Sequence, residues 1–339
     1  MADMNAEHGP IPLDHIDHFP DALIGAEPGQ ILEIFPNPTL ITIAGEEERP
    51  LWVTTLLHGN ETTSFYVLRA LADRYRTTPP PRSLTIFVGN VRAMAAGVRH
   101  LPDQPDFNRI WAEGSGPYHD LVHQVCEIAR QQNPFASIDI HNNSGSNPHY
   151  GCVNALRPAD LHLATMFADL GVFYRNPPTT QSIAFSNFCP AATVECGTSG
   201  DQQGIERAIA LVEQALRLDG FPPAPPPPGT VRLYHTLASV VIDPDCSFGF
   251  DDPAAGLNLR ADLEDFNFSN LPADTLWATA SCPQDALRVI DEHGHDLTDE
   301  FFTCDGNEIR STRAVTPAMI THDIDVIRQD CLCYLMEPI

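Results

Sequence analysis

The sequence predicts an α/β protein: a mixed, mainly parallel sheet flanked by helices, with a smaller β-rich domain after it. Three observations lead there. Apolar, β-branched runs alternate with amphipathic stretches through the first two-thirds of the 339 residues. A proline-rich spacer, "FPPAPPPPGT" (Phe221–Thr230), interrupts the chain, six of its residues being proline. Beyond it the apolar segments are short and β-like, starting with "TVRLYHTLASVVI". The expected organisation is therefore a domain over residues 1–220, a linker over 221–229 and a second domain over 230–339.

Residues 30–57 read as β-structure in three runs, "QILEIF", "TLITIAG" and "LWVTTLL". A helix is expected from Glu61 to Arg76, stopped by "TTPPPR". The strand "LTIFVGN" leads into a long loop, "VRAMAAGVRHLPDQPDFNRIW". A helix follows in "GPYHDLVHQVCEIARQQNP", then a strand, "ASIDI", running into "HNNSGSNPHYG". "PADLHLATMFADLG" reads as helix, "AATVECG" as strand, and "QQGIERAIALVEQALRLDG" as an amphipathic helix with a glycine stop.

Composition excludes several function classes. The net charge of −26 argues against nucleic acid and anionic membrane surfaces, which demand basic patches. All 19 cationic residues are arginine, so lysine-dependent mechanisms such as a P-loop or a Schiff base are absent. A GC-rich genome or adaptation to high salt would each produce this bias. Nine cysteines are scattered without a C-x-x-C pair and read as reduced, mostly buried thiols. The N-terminal stretch has neither a basic nor an apolar signal region, and no apolar run reaches membrane-spanning length. The expected location is the cytoplasm.

Three strand ends carry unusual residues. "LLHGNE" supplies His58 and Glu61, "SIDIHNNSG" supplies His141, and "TVECG" supplies Glu195. Ligands of open α/β sheets bind outside the carboxyl ends of the strands. Two imidazoles and a carboxylate form a three-ligand set for catalytic zinc, so His58, Glu61 and His141 are the expected ligands of one zinc per chain. Gly59 is expected to let the backbone bend between the first two. Glu195 remains as the carboxylate that moves protons. Asp139 lies two residues before His141 on the same strand face, as an acceptor that orients the ring or as an ordinary polar strand residue. In the long loop, Asn108 and Arg109 are adjacent and suit a substrate carboxylate, while another arginine would stabilise an oxyanion. Each signal alone has a bland structural reading; their combination is the argument. His293 and His295, in an acidic turn, read as solvated.

Together these residues resemble the succinylglutamate desuccinylase/aspartoacylase family of the zinc carboxypeptidase-like (M14) fold. "HGNE" is similar to that family's first zinc motif, and the long loop to its G-N-P-x-A…R-Y…D-L-N-R-x-F segment. "DIHNNSG" resembles its D-L-H motif and "TVECG" its T-x-E-x-G. "PTTQSIAFSNF" and "LEDFNFSNLPADTLWA" resemble further segments, so the likeness covers most of residues 45–280. It departs at Asn90-Val91, Arg99-His100, Phe107 and "NNSGSNPHYG". The resemblance implies that His58, Glu61 and His141 bind zinc and that Glu195 is general base and acid. It further implies that Arg99 polarises the scissile carbonyl while Asn108 and Arg109 hold a substrate carboxylate. The expected activity is removal of an acyl group from an N-acyl amino acid or similar small, carboxylate-bearing amide. A metallocarboxypeptidase is the alternative, and a catalytically dead binding module the third reading. Oligomeric state is left open.

Overall fold

The computed structural model describes residues 9–281 and 286–339. The start of the N-terminal stretch and Cys282 therefore lie outside the described residues. By contacts the chain divides into two units: residues up to Asn142 with His149–Arg232, and Asn143–Pro148 with Leu233–Ile339.

The strands of the first unit, among the described residues, are β1 (Asp14–Ile16), β2 (Thr39–Ile43), β3 (Glu47–Thr55), β4 (Arg82–Val88), β5 (Ala136–Asn143), β6 (Tyr150–Val153), β7 (Leu170–Phe173) and β8 (Ala191–Thr198). Their order is β1-β2-β4-β3-β5-β8-β6-β7. β4 and β5 both run parallel to β3, whereas β2 is antiparallel to β4 and β6 to β8, so the sheet is mixed as expected. Its helices are α1 (Ile31–Ile34), α2 (Thr63–Tyr75), α3 (Val91–Ala96), α4 (Pro117–Gln132), α5 (Pro158–Phe167), α6 (Gln181–Ser186) and α7 (Gln202–Leu216).

Strand alternation sorts side chains onto the two sheet faces. Leu51, Val53, Ile138, Ile140, Val194 and Cys196 join one core with α2 and α7 residues such as Phe65, Leu68, Ala208 and Leu211. Trp52 and Ala191 face the other way and pack with Tyr118, Val122, Val125 and Phe185 of α4 and α6. On that second face Thr54, Asp139, His141, Thr193 and Glu195 replace apolar residues at buried positions.

Two segments depart from the sequence reading. "QILEIF" forms a 3-10 turn and the short helix α1 rather than a strand. Pro28 opens the turn, and the Gln30 side chain accepts the Glu27 amide, a local cap that outweighs β-propensity. "VRAMAA" is helical because the Asn90 side chain accepts the Ala93 amide at its start. After α7, Phe221 stacks on Phe135 with ring centroids 4.9 Å apart, and His162 Nε2 meets the Ala224 carbonyl at 2.8 Å. The first part of the proline-rich stretch thus runs along its own unit.

The second unit is β-rich. β9 (Arg232–Ile242) pairs antiparallel with β13 (Leu287–Asp291) and β17 (Cys333–Pro338), and β17 with β16 (Thr316–Ala318). A second sheet runs in the order β10 (Phe248–Phe250), β11 (Leu257–Leu259), β12 (Leu276–Ala280), β15 (Glu308–Ser311), β14 (Phe302–Asp305). Val240, Leu335, Leu259 and Trp277 share its core. Among the described residues no helix is long and apolar enough to cross a membrane. Cys126, Cys152, Cys189, Cys196 and Cys333 are buried free thiols.

Candidate active site

His58 follows β3, whose chain turns at Leu56, where φ is 59°. The chain also turns at Gly59 and Asn60, where the Glu61 amide donates to the His58 carbonyl at 3.4 Å. Gly59 serves another purpose. A Cβ there would lie 2.0 Å from the Ala93 carbonyl carbon and 2.2 Å from its oxygen. Only glycine allows the ligand loop to pass so close to α3.

The loop delivers His58 and Glu61 to the end of β5, where His141 waits. Glu61 Oε1 lies 2.6 Å from His58 Nδ1, and Oε2 lies 2.8 Å from His141 Nδ1. The Asn142 amide also donates to Oε2, at 3.0 Å. All three side chains are buried. Burial opposes ionisation of Glu61, but His58 and His141 hold its carboxyl well below the usual range. Burial likewise disfavours the charged ring of His141, yet Asp139 and Glu61 raise its pKa well above the ordinary value.

The far nitrogen of each ring has its own carboxylate. His58 Nε2 lies 3.0 Å from Asp106 Oδ1, and His141 Nε2 lies 3.0 Å from Asp139 Oδ2. Carboxylates on the outer nitrogens fix ring orientation and tautomer, a common arrangement around metal-binding histidines. Both Nδ1 atoms then face inward with the Glu61 oxygens. One ligand atom from each of the three side chains lies within 4.8 Å of the others, and among the described residues this is the one such His/Cys/Asp/Glu group. Two nitrogens and a carboxylate oxygen, converging, buried and oriented from behind, fit a divalent metal ion.

Asp106 also receives Arg99, through Nε at 2.9 Å and Nη2 at 2.8 Å, while Arg99 Nη1 stands 3.9 Å from Glu61. Burial works against the Asp106 charge, but His58 and Arg99 hold its carboxyl well below the usual range. The Asn108 amide donates to Asp106 Oδ1 at 2.7 Å, and Asn108 Nδ2 comes within 3.3 Å of His141 Nε2. Arg109 Nη1 donates to the Asn108 carbonyl at 3.1 Å. Glu195, level with Tyr150 of β6, is buried, and its Oε2 has no hydrogen-bond partner. Burial pushes its carboxyl up to about 7, with Glu61 and Asp139 adding to the rise against the pull of His141.

Residues 49–200 match the family model for the succinylglutamate desuccinylase/aspartoacylase catalytic domain. This segment belongs to that family. The desuccinylase/aspartoacylase domain carries every residue of the cluster within the matched span. No curated protein sequence matches the chain. Among solved structures, a succinylglutamate desuccinylase/aspartoacylase from Rhodobacter sphaeroides is similar with a TM-score of 0.61 at 15% identity, covering 88% of this chain and 89% of that one. The succinylglutamate desuccinylase from Chromobacterium violaceum gives 0.55 at 16%, covering 87% and 86%. Murine aminoacylase 3 gives 0.56 at 18%, covering 87% and 97%. At these identities the likeness is one of fold, including the β-rich C-terminal part.

The sequence reading named His58, Glu61, His141, Arg99 and Asn108, which the fold brings into contact, and Glu195 and Arg109 beside them. It passed over Asp106, which holds both His58 and Arg99. The available signal was a carboxylate two residues before Asn108 in "DFNR". It also passed over Gln181, whose backbone amide donates to Asn108 Oδ1 at 2.9 Å. His295 pairs with Asp291 in an exposed turn. That turn is not part of the cluster.

Proposed function

We propose that the protein is a zinc-dependent amidohydrolase that removes the acyl group from an N-acyl amino acid. One observation carries the reading: His58, Glu61 and His141 converge, with a carboxylate behind each ring, beside a buried Glu195 whose pKa is near neutrality. His58, Glu61 and His141 would hold one zinc ion, which when bound supplies Lewis acidity to the amide carbonyl and makes water a better nucleophile.

The chain's own groups do the rest. Glu195 accepts a proton from the attacking water and passes it to the departing amine; a carboxyl poised near pH 7 suits both transfers. Arg99, held by Asp106, offers its cation to the oxygen that becomes negative. Asn108 and Arg109 fix the carboxylate of the amino-acid part, a planar guanidinium being suited to two parallel hydrogen bonds. Burial of the cluster excludes bulk water and strengthens these interactions.

The test is metal content with turnover. Purified protein should hold about one zinc per chain and hydrolyse N-acyl amino acids in preference to peptides. His58→Ala and His141→Ala should lose both metal and activity. Glu195→Gln should keep zinc and lose on the order of 10²-fold or more in kcat. Full zinc occupancy in both histidine variants would overturn the ligand assignment.

A further inference from the structure

The helices on the first sheet face, α2 and α7, leave a cleft between them. Its volume is about 690 Å³, within the usual range for small-ligand sites. α2 contributes Tyr66, Arg69 and Asp73, and α7 contributes Ile205 and Ile209. The segment before α1 adds Ile24 and Glu27. None of these residues belongs to the His58–Glu61–His141 cluster or to the groups assigned to catalysis, and the cleft lies wholly within the first unit.

Arg69 is held in this cleft through one nitrogen. Its Nη1 donates to the Ala26 carbonyl at 2.8 Å and to Glu27 Oε1 at 3.3 Å. The guanidinium lies over the Tyr66 ring, 4.9 Å from its centre, and the Tyr66 hydroxyl donates to Glu27 Oε2 at 3.3 Å. Among the described residues, Arg69 Nε and Nη2 meet no acceptor. Those two nitrogens carry the parallel N–H groups that grip a carboxylate. Elsewhere this chain closes the same fork. Arg99 meets Asp106 at 2.9 and 2.8 Å, Arg157 meets Asp160 at 2.6 and 2.7 Å, and Arg260 meets Asp262 at 2.8 and 2.6 Å. On Arg69 the cation is fixed in place and its carboxylate-binding edge is unused.

Asp73 stands one helical turn further along α2, on the same side as Arg69, with about 5–6 Å between the two Cβ atoms. It is exposed, and among the described residues its carboxylate makes no hydrogen bond or ion pair. The cleft thus offers an open cation edge and an open anion side by side. Glu27 already balances Arg69, so a plain carboxylate would meet the uncompensated charge of Asp73. A plain ammonium would leave the arginine fork unused. A molecule carrying both charges on one carbon satisfies both residues. The other walls, Ile24, Ile205 and Ile209, are aliphatic and suit an apolar side chain leaving that same carbon.

We propose that this cleft is a second small-molecule site, which takes a free α-amino acid with an aliphatic side chain. The carboxylate meets Arg69 Nε and Nη2, the ammonium meets Asp73, and the side chain packs on Ile24, Ile205 and Ile209. The site shares no residue with the one assigned to hydrolysis, so it does not depend on that reading. Its ligand is of the class that the proposed reaction would release, and binding can be read without turnover.

The experiment is calorimetry on the full-length protein with zinc present. The probes are leucine, isocaproate, which lacks the ammonium, and leucinamide, which lacks the carboxylate. Leucine should bind with a Kd of about 1 mM or tighter. Each truncated probe should bind at least about fivefold more weakly, below the charge-assisted range because the cleft is open to water. Arg69→Gln and Asp73→Asn should each weaken leucine by a similar factor. Asp73 is exposed and has no partner to lose, so its variant tests the site without disturbing the fold. Arg109→Lys, at the site assigned to the substrate carboxylate, should leave leucine binding in the cleft intact. Unchanged leucine affinity in Arg69→Gln or in Asp73→Asn would overturn the proposal, as would a loss confined to Arg109→Lys. Equal binding of the three probes, or no binding of leucine, would overturn it as well. Failure to hydrolyse any N-acyl amino acid would sink the proposed function and leave this result standing.

Discussion

Asp106 Oδ1 lies 3.0 Å from His58 Nε2, and the other oxygen of the same carboxylate holds Arg99. One side chain thus orients the His58 ring, proposed as a metal ligand, and the Arg99 cation, proposed to meet the carbonyl. Asp106→Asn keeps the shape and removes the charge. Loss of such an outer partner typically costs about 10- to 100-fold in metal affinity or activity. Zinc affinity, read by competition with a chelator, should fall by that order, and kcat should fall as Arg99 loses its anchor. Unchanged zinc affinity would show that His58 needs no orienting partner.

Gly59→Ala places a methyl group against the Ala93 carbonyl, 2.0 Å from its carbon. Backbone on both sides must move. The cost should reach about 1–3 kcal/mol or more, the range for overpacking a tight site. Thermal unfolding should show the lower stability, and zinc affinity should drop with it because His58 is the preceding residue. A variant as stable as the parent would mean that the loop can step away from α3 freely.

Glu195 makes the metal-free protein sensitive to pH in a defined direction. Its carboxyl titrates at about 7 in the folded chain against 4.5 for an ordinary glutamate. Between those values the folded state binds more protons than the unfolded state, so stability falls as pH rises. The stabilisation is fully present below about pH 4.5 and is gone once pH has passed 7. Across this window the melting temperature of metal-free wild type should fall with rising pH relative to that of metal-free Glu195→Gln, which lacks this one-proton component. Identical pH slopes for the two proteins would place the perturbed carboxyl elsewhere.

Arg109→Lys replaces a planar two-pronged donor by a point charge. KM for N-acyl amino acids should rise while zinc content stays constant. The matching change in the substrate, capping its carboxylate as an amide, should make it poor for the wild type, and the mutation should then add little. The loss in kcat/KM should be roughly 10- to 150-fold, as for one partner of a charge-assisted pair. Equal hydrolysis of capped and free substrates by the wild type would remove Arg109 from carboxylate recognition.

Much of this protein is local in origin and so is legible in its sequence. Alternation of apolar strands with amphipathic helices depends on periodicity, which each segment carries by itself. The mixed sheet and the β-rich second part follow from that pattern. His58 and Glu61 share one strand-to-helix loop, and His141 and Glu195 each end a strand, so residue type and position singled them out. Exceptions within the local range are "QILEIF", where the Pro28 turn and its cap prevail over β-propensity, and Gly59, whose role needs the position of Ala93. Only the tertiary structure decided the rest. Asp106 is 48 residues from His58, and Gln181 is 73 from Asn108. Orienting a ring or pairing a buried oxygen takes a hydrogen bond across about 3 Å, a constraint on final distance that no spacing along the chain encodes. The buried oxygens without a hydrogen-bond partner, Asp139 Oδ1, Thr193 Oγ1, Gln181 Oε1 and Glu195 Oε2 among them, became recognisable only when burial was set.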